Sequence, residues 1–140
     1  MSPAAVELLV NVDVDDLERA VAFYAGAFGL TVGRRFGSGA AELLGASSAL
    51  YLLEKPAGSD PHAGAERPRA YGRHWTPVHL DVAVQDVEAA VHRAERAGAT
   101  REGDVQEAAW GRLVRMADPF GHGFCLLQFR GRGYDEIAGD

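Results

Sequence analysis

Apolar and polar side chains alternate along residues 7–14. Leu8, Val10, Val12 and Val14 fall on one side, and Glu7, Leu9, Asn11 and Asp13 on the other. Successive strand residues point to opposite faces, so this pattern predicts a strand with one apolar and one mixed face. The period then changes. Leu17, Val21, Tyr24 and Phe28 recur at helical spacing with Ala20 beside them, which predicts an amphipathic helix. Asp15 is placed to cap it, with Glu18 three positions on as the capping-box partner. Gly29 closes it. Residues 31–36, 40–45 and 48–54 read as three short strands parted by Gly37, Gly39 and Gly45.

Residues 56–76 break the pattern. Pro56, Pro61 and Pro68, with glycines and few aliphatics, mark a connector. It is long for a loop inside a compact domain, and such loops are commonly functional or mobile. The pattern then restarts: residues 77–84 read as a strand and 86–97 as a helix ended by Gly98. Stretches near 100–108, 112–117 and 123–129 are strand-like. The polar, glycine-rich tail after Arg130 predicts a frayed end.

The restart is a repeat. Val14, Asp16, Glu18, Ala20 and Val21 fall on Val84, Asp86, Glu88, Ala90 and Val91 at one constant offset, and Leu17 falls on Val87. In the same alignment Leu9 meets His79 and Asn11 meets Asp81. Leu50-Tyr51-Leu52-Leu53-Glu54 matches Phe124-Cys125-Leu126-Leu127-Gln128 after a slightly longer turn. Strand, cap, helix and final strand agree, and agreement across levels is stronger than any one of them. The chain therefore predicts β-α-β-β-β twice, an α+β fold in a single domain over residues 1–140, with modules at about 6–55 and 77–130 and the connector 56–76 between them.

Composition narrows the function classes. Net charge is −6 and the pI is near 5.3, and the arginines are scattered. A nucleic-acid surface needs a clustered basic face, so none is expected. Cys125 is the one cysteine and has no internal disulfide partner. No apolar run approaches the roughly 20 residues that span a bilayer, and Met1–Glu7 lacks the pattern of a signal peptide. A cytoplasmic location without membrane contact is the expectation.

Three motifs carry a resemblance to a known family. Val14-Asp15-Asp16-Leu17-Glu18-Arg19-Ala20-Val21-Ala22-Phe23-Tyr24 with Phe28-Gly29-Leu30, then His79-Leu80-Asp81-Val82 with Asp86 and Gly98-Ala99, then Asp118-Pro119-Phe120-Gly121-His122-Gly123-Phe124, resemble the vicinal oxygen chelate superfamily. The similarity is to its glyoxalase-like subgroup, among glyoxalases, bleomycin-resistance proteins and dioxygenases. The resemblance implies two modules whose curled mixed sheets surround a cleft. By alternation, Leu9, Asn11, Tyr51, Leu53, His79, Asp81, Cys125 and Leu127 then face inward, while Leu8, Val10, Val12, Leu80, Val82 and Val84 pack under the helices.

Metal-dependent members use one position on the first and one on the last strand of each half. Carried over, these are Leu9, Tyr51, His79 and Cys125. Leu9 offers no donor, Tyr51 is an uncommon ligand, and Cys125 stands where a carboxylate is expected. A catalytic zinc usually has three protein ligands and an open position, so no resident metal or other cofactor is expected. A divalent ion is the alternative, should Glu7 or Asp81 shift into reach; Glu42 sits on a more distant strand. His79 and Asp81 are either a general base or polar anchor with its orienting carboxylate, or a buried histidine satisfied by its neighbour. Cys125 is a nucleophile only if a base such as His79 activates it, and otherwise a small buried hydrophobe. Trp75, Trp110 and Tyr51 either stack a planar ligand at the cleft or cover a dimer interface or sheet edge. His62 and His122 read as solvent-facing loop residues.

The resemblance thus implies a metal-free protein that binds a small aromatic or amphipathic molecule, with a sequestration or resistance-like role and a homodimeric state. The alternative is a lyase, isomerase or dioxygenase using His79 with an unusual or absent metal.

Overall fold

The computed structural model describes residues 6–139. The first half runs β1 (Val10–Val14), α1 (Leu17–Phe28), β2 (Thr31–Phe36), β3 (Ala40–Leu44) and β4 (Leu50–Glu54). The second runs β5 (Leu80–Ala83), α2 (Val87–Ala97), β6 (Thr100–Arg101), β7 (Gln106–Ala108), β8 (Gly111–Ala117) and β9 (Gly123–Phe129). The strand expected near 100–108 is thus two short pieces, both paired antiparallel with β8. No helix among the described residues is long and apolar enough to cross a membrane.

Each half builds one mixed sheet. The first has the order β1-β4-β3-β2, the second β5-β9-β8-β6. In each the opening strand lies parallel to the closing one, Asn11 opposite Tyr51 and Asp81 opposite Cys125. The fold is α+β, with two open sheets and two helices, as the repeat predicts.

Helix ends follow their cap residues. Asp16, not Asp15, caps α1: its backbone is extended and its carboxylate accepts from the Arg19 amide at 3.1 Å. Leu17 must be the first helical residue because it is buried to 1% exposure in the core, and this moves the cap one position on. Asp86 does the same for α2 through the Ala89 amide. Gly29 ends α1 in the left-handed region that glycine tolerates, at φ 69°.

The two helices pack against each other, and each covers one face of its sheet. Leu17, Phe23, Leu43, Leu52, Val114 and Leu126 lie in the shared core. Val10, Val12, Leu80, Val82 and Val84 lean on it, as alternation requires. Leu8 departs from that pattern, being 74% exposed. The ladder begins only at Val10, so nothing holds Leu8 on the helix side.

The tail also differs from expectation. The Arg130 amide bonds to the Trp110 carbonyl at 2.9 Å, and Gly133–Glu136 form a 3-10 turn. Tyr134 returns to pack on Trp110 and Phe129, with ring centroids 5.2 and 4.9 Å apart. These aromatic contacts hold a segment whose composition alone predicts fraying.

Candidate functional site

β1 and β5 each form one edge of their sheet: among the described residues each pairs only with the last strand of its own half. A cavity of about 410 Å³ opens between them beneath the connector, with Asn11, Tyr71, His74, His79 and His122 among its walls. It therefore brings one expected inward residue of each half, Asn11 and His79, to one space. The connector has no strand or helix, yet it is tied down. Arg69 Nε donates to Asp13 at 2.6 Å, and the Tyr71 hydroxyl donates to the Lys55 carbonyl at 2.6 Å.

On the second sheet, His79 Nε2 lies 3.3 Å from Asp81 Oδ1. Both side chains are about 40% exposed, at 43% and 40%. Cys125 sits beside Asp81 in the ladder and is buried. Burial first, and then the Asp81 carboxylate to which the thiol donates, push this thiol up to about 11. It is therefore protonated at neutral pH and a weak nucleophile. The nearby imidazole does not change this, because Asp81 stands against the sulfur. Trp75 walls the cluster, its ring 5.7 Å from that of His79. The indole lies on Gly123, where a Cβ would come within 2.4 Å of the ring.

Tyr51 belongs to a separate cluster on the first sheet. Its hydroxyl donates to Glu42 at 2.9 Å. Arg34 donates to the same carboxylate through Nε at 3.1 Å, Nη2 at 2.7 Å and its backbone amide at 3.0 Å. These hydrogen bonds hold Glu42, itself 5% exposed, down to about 2. The hydrogen bond to Glu42 pushes the Tyr51 phenol above its ordinary value. Phe36 completes the group beneath the Arg34 guanidinium. Glu42 is not on a distant strand but pairs directly with Tyr51 across β3 and β4, and Arg34 is outside the site expected from the sequence. The available signal was Glu42 itself, a carboxylate alternating with the core residues Ala41 and Leu43.

The remaining expected residues scatter. Leu9 is 52% exposed just ahead of β1 and Leu53 is half-buried. Leu127 is buried beside Cys125 on the second sheet. Trp110 stands by Phe129, at the opposite end of β9 from the Trp75–Gly123 contact, so the two tryptophans do not face one space. β9 separates them by roughly 20 Å at strand rise.

His122 is not solvent-facing. Its Nε2 lies 2.8 Å from the Asp13 carbonyl and its Nδ1 2.9 Å from His74 Nε2. A carbonyl only accepts, so His122 Nε2 carries the hydrogen, and the Nδ1 lone pair accepts from His74. Burial, and then the proximity of His122, hold His74 below the ordinary imidazole value. Asp118 anchors this turn by accepting from the Phe120 and His122 amides at 2.8 and 2.9 Å and from the Tyr24 hydroxyl.

The donors present do not fit the family's four-position metal set. Leu9 has none to give, and the Tyr51 oxygen is engaged by Glu42. Three donors remain close together: single ligand atoms of His79, Asp81 and Cys125 lie within 4.8 Å of one another.

Comparison with known proteins returns one consistent group. The family model described as a glyoxalase-like domain matches residues 9–127. An uncharacterized protein of Mycobacterium bovis is 44% identical over 64 residues, covering 44% of this chain and 42% of that protein. The match thus spans less than half the length of that relative. Among solved structures, the fosfomycin resistance protein FosX from Listeria monocytogenes superposes with a TM-score of 0.71 at 16% identity, covering 97% of this chain and 100% of that one. Lactoylglutathione lyase from Agrobacterium tumefaciens gives 0.61 at 19% identity, covering 99% and 100%.

Proposed function

The chain belongs to the glyoxalase-like domain family, within the vicinal oxygen chelate fold, and on that premise we propose that it binds a small aromatic or amphipathic molecule in its cleft without a resident metal. The role is sequestration or resistance-like. The observation that carries this reading is the Trp75 indole, laid on Gly123 beside the His79–Asp81 pair. An apolar wall with a few convergent polar groups is the usual form of a small-molecule site. Trp75 supplies the stacking surface, Asn11 and His79 the polar anchors, and Asp81 orients the His79 imidazole. Trp110 and Tyr51 lie outside this contact set. The protein acts as a cytoplasmic homodimer in this proposal, with the clefts shared between or completed by subunits.

Metal analysis of purified protein, followed by a thermal-shift screen against planar antibiotics and acyl metabolites, tests it. The expected result is less than stoichiometric metal after dialysis and a stabilising hit weakened by Trp75→Ala. Tightly held stoichiometric metal would sink the metal-free reading.

A second reading is favoured by one observation, the approach of the His79, Asp81 and Cys125 donors within 4.8 Å. Imidazole, carboxylate and thiolate together make a donor set that zinc accepts, with a fourth position open. In that case the protein is a lyase or isomerase, or a dioxygenase where a redox-active ion takes the place of zinc, and His79→Ala abolishes both metal retention and turnover.

A further inference from the structure

Asp81, Cys125 and Arg115 stand on one rung of the second sheet. Cys125 pairs with Asp81 across β5 and β9, and with Arg115 across β8 and β9. Val114 and Met116, which flank Arg115 in β8, are fully buried toward the helices, so alternation sends Arg115 to the opposite face, the one that carries Asp81 and Cys125. The guanidinium is seated over Gly103, where a Cβ would lie 3.1 Å from Nη2 and 3.6 Å from Cζ. Its charge acts on the Cys125 thiol in opposition to Asp81.

On the face that carries Asp81 and Cys125, the Arg115 guanidinium stands unpaired among the described residues. Arg34, Arg69, Arg73 and Arg112 are each held by a carboxylate. Arg115 is exposed; its backbone carbonyl accepts from the Glu102 amide at 2.8 Å, but its guanidinium makes no ion pair or hydrogen bond among the described residues. The thiol beside it is neutral, and Asp81 is engaged by His79 and by that thiol. A guanidinium presents five N–H donors in a rigid fork suited to two parallel bonds with one carboxylate.

We propose that Arg115 is the anion-recognising residue of the cleft, and that the ligand is an aromatic carboxylate whose oxyanion sits on this guanidinium. The proposal rests on the cleft-binding reading above and names the ligand chemistry it takes. The spacing suits it. Gly123, under the Trp75 ring, and Cys125, beside Arg115, point to the same face two residues apart, roughly 7 Å along the strand. The guanidinium lies further on, across β8 and over Gly103, so a fused aromatic ring bearing one carboxylate reaches past this rung with its ring on Trp75 and its charge toward Arg115.

Calorimetric titration with 1-naphthoate and its neutral isostere 1-naphthamide tests the assignment. A hydrogen-bonded charge gives the carboxylate an advantage of roughly ten- to hundredfold. Arg115→Gln is expected to lower 1-naphthoate to the level of the amide while leaving amide binding unchanged, and Trp75→Ala to weaken both. Arg115 is exposed, so the variant folds, and a thermal melt verifies that. Equal affinities in the unmodified protein, or a preference that survives Arg115→Gln, overturn the role of Arg115 and leave the cleft reading standing. Binding of neither probe overturns both.

Discussion

Glu54 and Gln128 play the same part in the two halves. Each is a residue of a closing strand whose side chain accepts the first backbone amide of its own module's helix: Glu54 from Leu17 at 2.8 Å, Gln128 from Val87 at 2.9 Å. The first amides of a helix have no partner within it. The closing strand therefore satisfies a donor that Asp16 and Asp86 leave over, and it fixes helix to sheet in both modules. Truncating either side chain to alanine orphans that amide. Glu54→Ala and Gln128→Ala are each expected to cost about 1 kcal/mol, the ordinary scale of a lost helix cap. Urea unfolding measures this as a lower midpoint at unchanged slope, and a variant with no shift shows that water replaces the bond without cost.

Trp75 can cover the His79–Asp81 pair only because residue 123 has no side chain. A Cβ there meets the indole at 2.4 Å, inside any possible contact. Gly123→Ala must therefore displace Trp75, and overpacking of this kind costs about 1–3 kcal/mol. Removing the ring relieves the clash. The double variant Gly123→Ala, Trp75→Ala is expected to be more stable than the sum of the single effects predicts. That coupling, read from a double-mutant cycle of melting experiments, places Trp75 on Gly123 in solution. Strict additivity places it elsewhere.

The sequence carried the fold because the fold is repeated and periodic. The alternation of Val10, Val12 and Val14, the helical spacing of Leu17, Val21 and Tyr24, and the match of Leu50–Glu54 to Phe124–Gln128 are local signals, and each survives in the structure. The site was less legible because its contacts depend on register. Arg34 meets Glu42 through an antiparallel pairing whose register shifts between Val32 and Arg35, and no periodic pattern encodes that irregularity. Arg115 is a neighbour of Cys125 only once β8 and β9 are aligned. His122 meets His74 from a connector with no period at all, and Trp110 meets Tyr134 from a tail that reads as polar. Adjacent Asp15 and Asp16 illustrate the smaller ambiguity. Both have capping chemistry, and burial of Leu17 decides between them.

His74 gives the molecule an acid-side pH dependence. Its imidazole faces His122, with Asp118 and Arg73 the other charges acting on it, and it is held below the ordinary value of 6.5 mainly by burial. The unfolded chain then binds a proton on His74 more readily than the folded one. Stability from this group is fully present above pH 6.5 and is lost as the pH falls below it. Melting temperatures between pH 7.5 and 5 are expected to decline, and the decline is expected to be shallower in His74→Gln. An identical slope in the variant assigns the acid sensitivity to other groups.

Cys125 sets the opposite limit. A thiol raised from 9.0 to about 11 keeps its proton in the folded protein at pH values where the unfolded chain has lost it. The folded state then binds more protons, so this contribution is present below pH 9 and disappears as the pH rises toward about 11. The same protonation governs reactivity, since only the thiolate attacks. Native protein is expected to react slowly with iodoacetamide at pH 7–8, with the rate climbing steeply only on the alkaline side of pH 9. Asp81→Asn removes the second cause of the shift and leaves burial, the larger one, in place. Its labelling profile is therefore expected to move toward lower pH without reaching that of a free thiol. Rapid labelling of unmodified protein at pH 7 contradicts the neutral thiol, and with it the argument that Cys125 is packing rather than nucleophile.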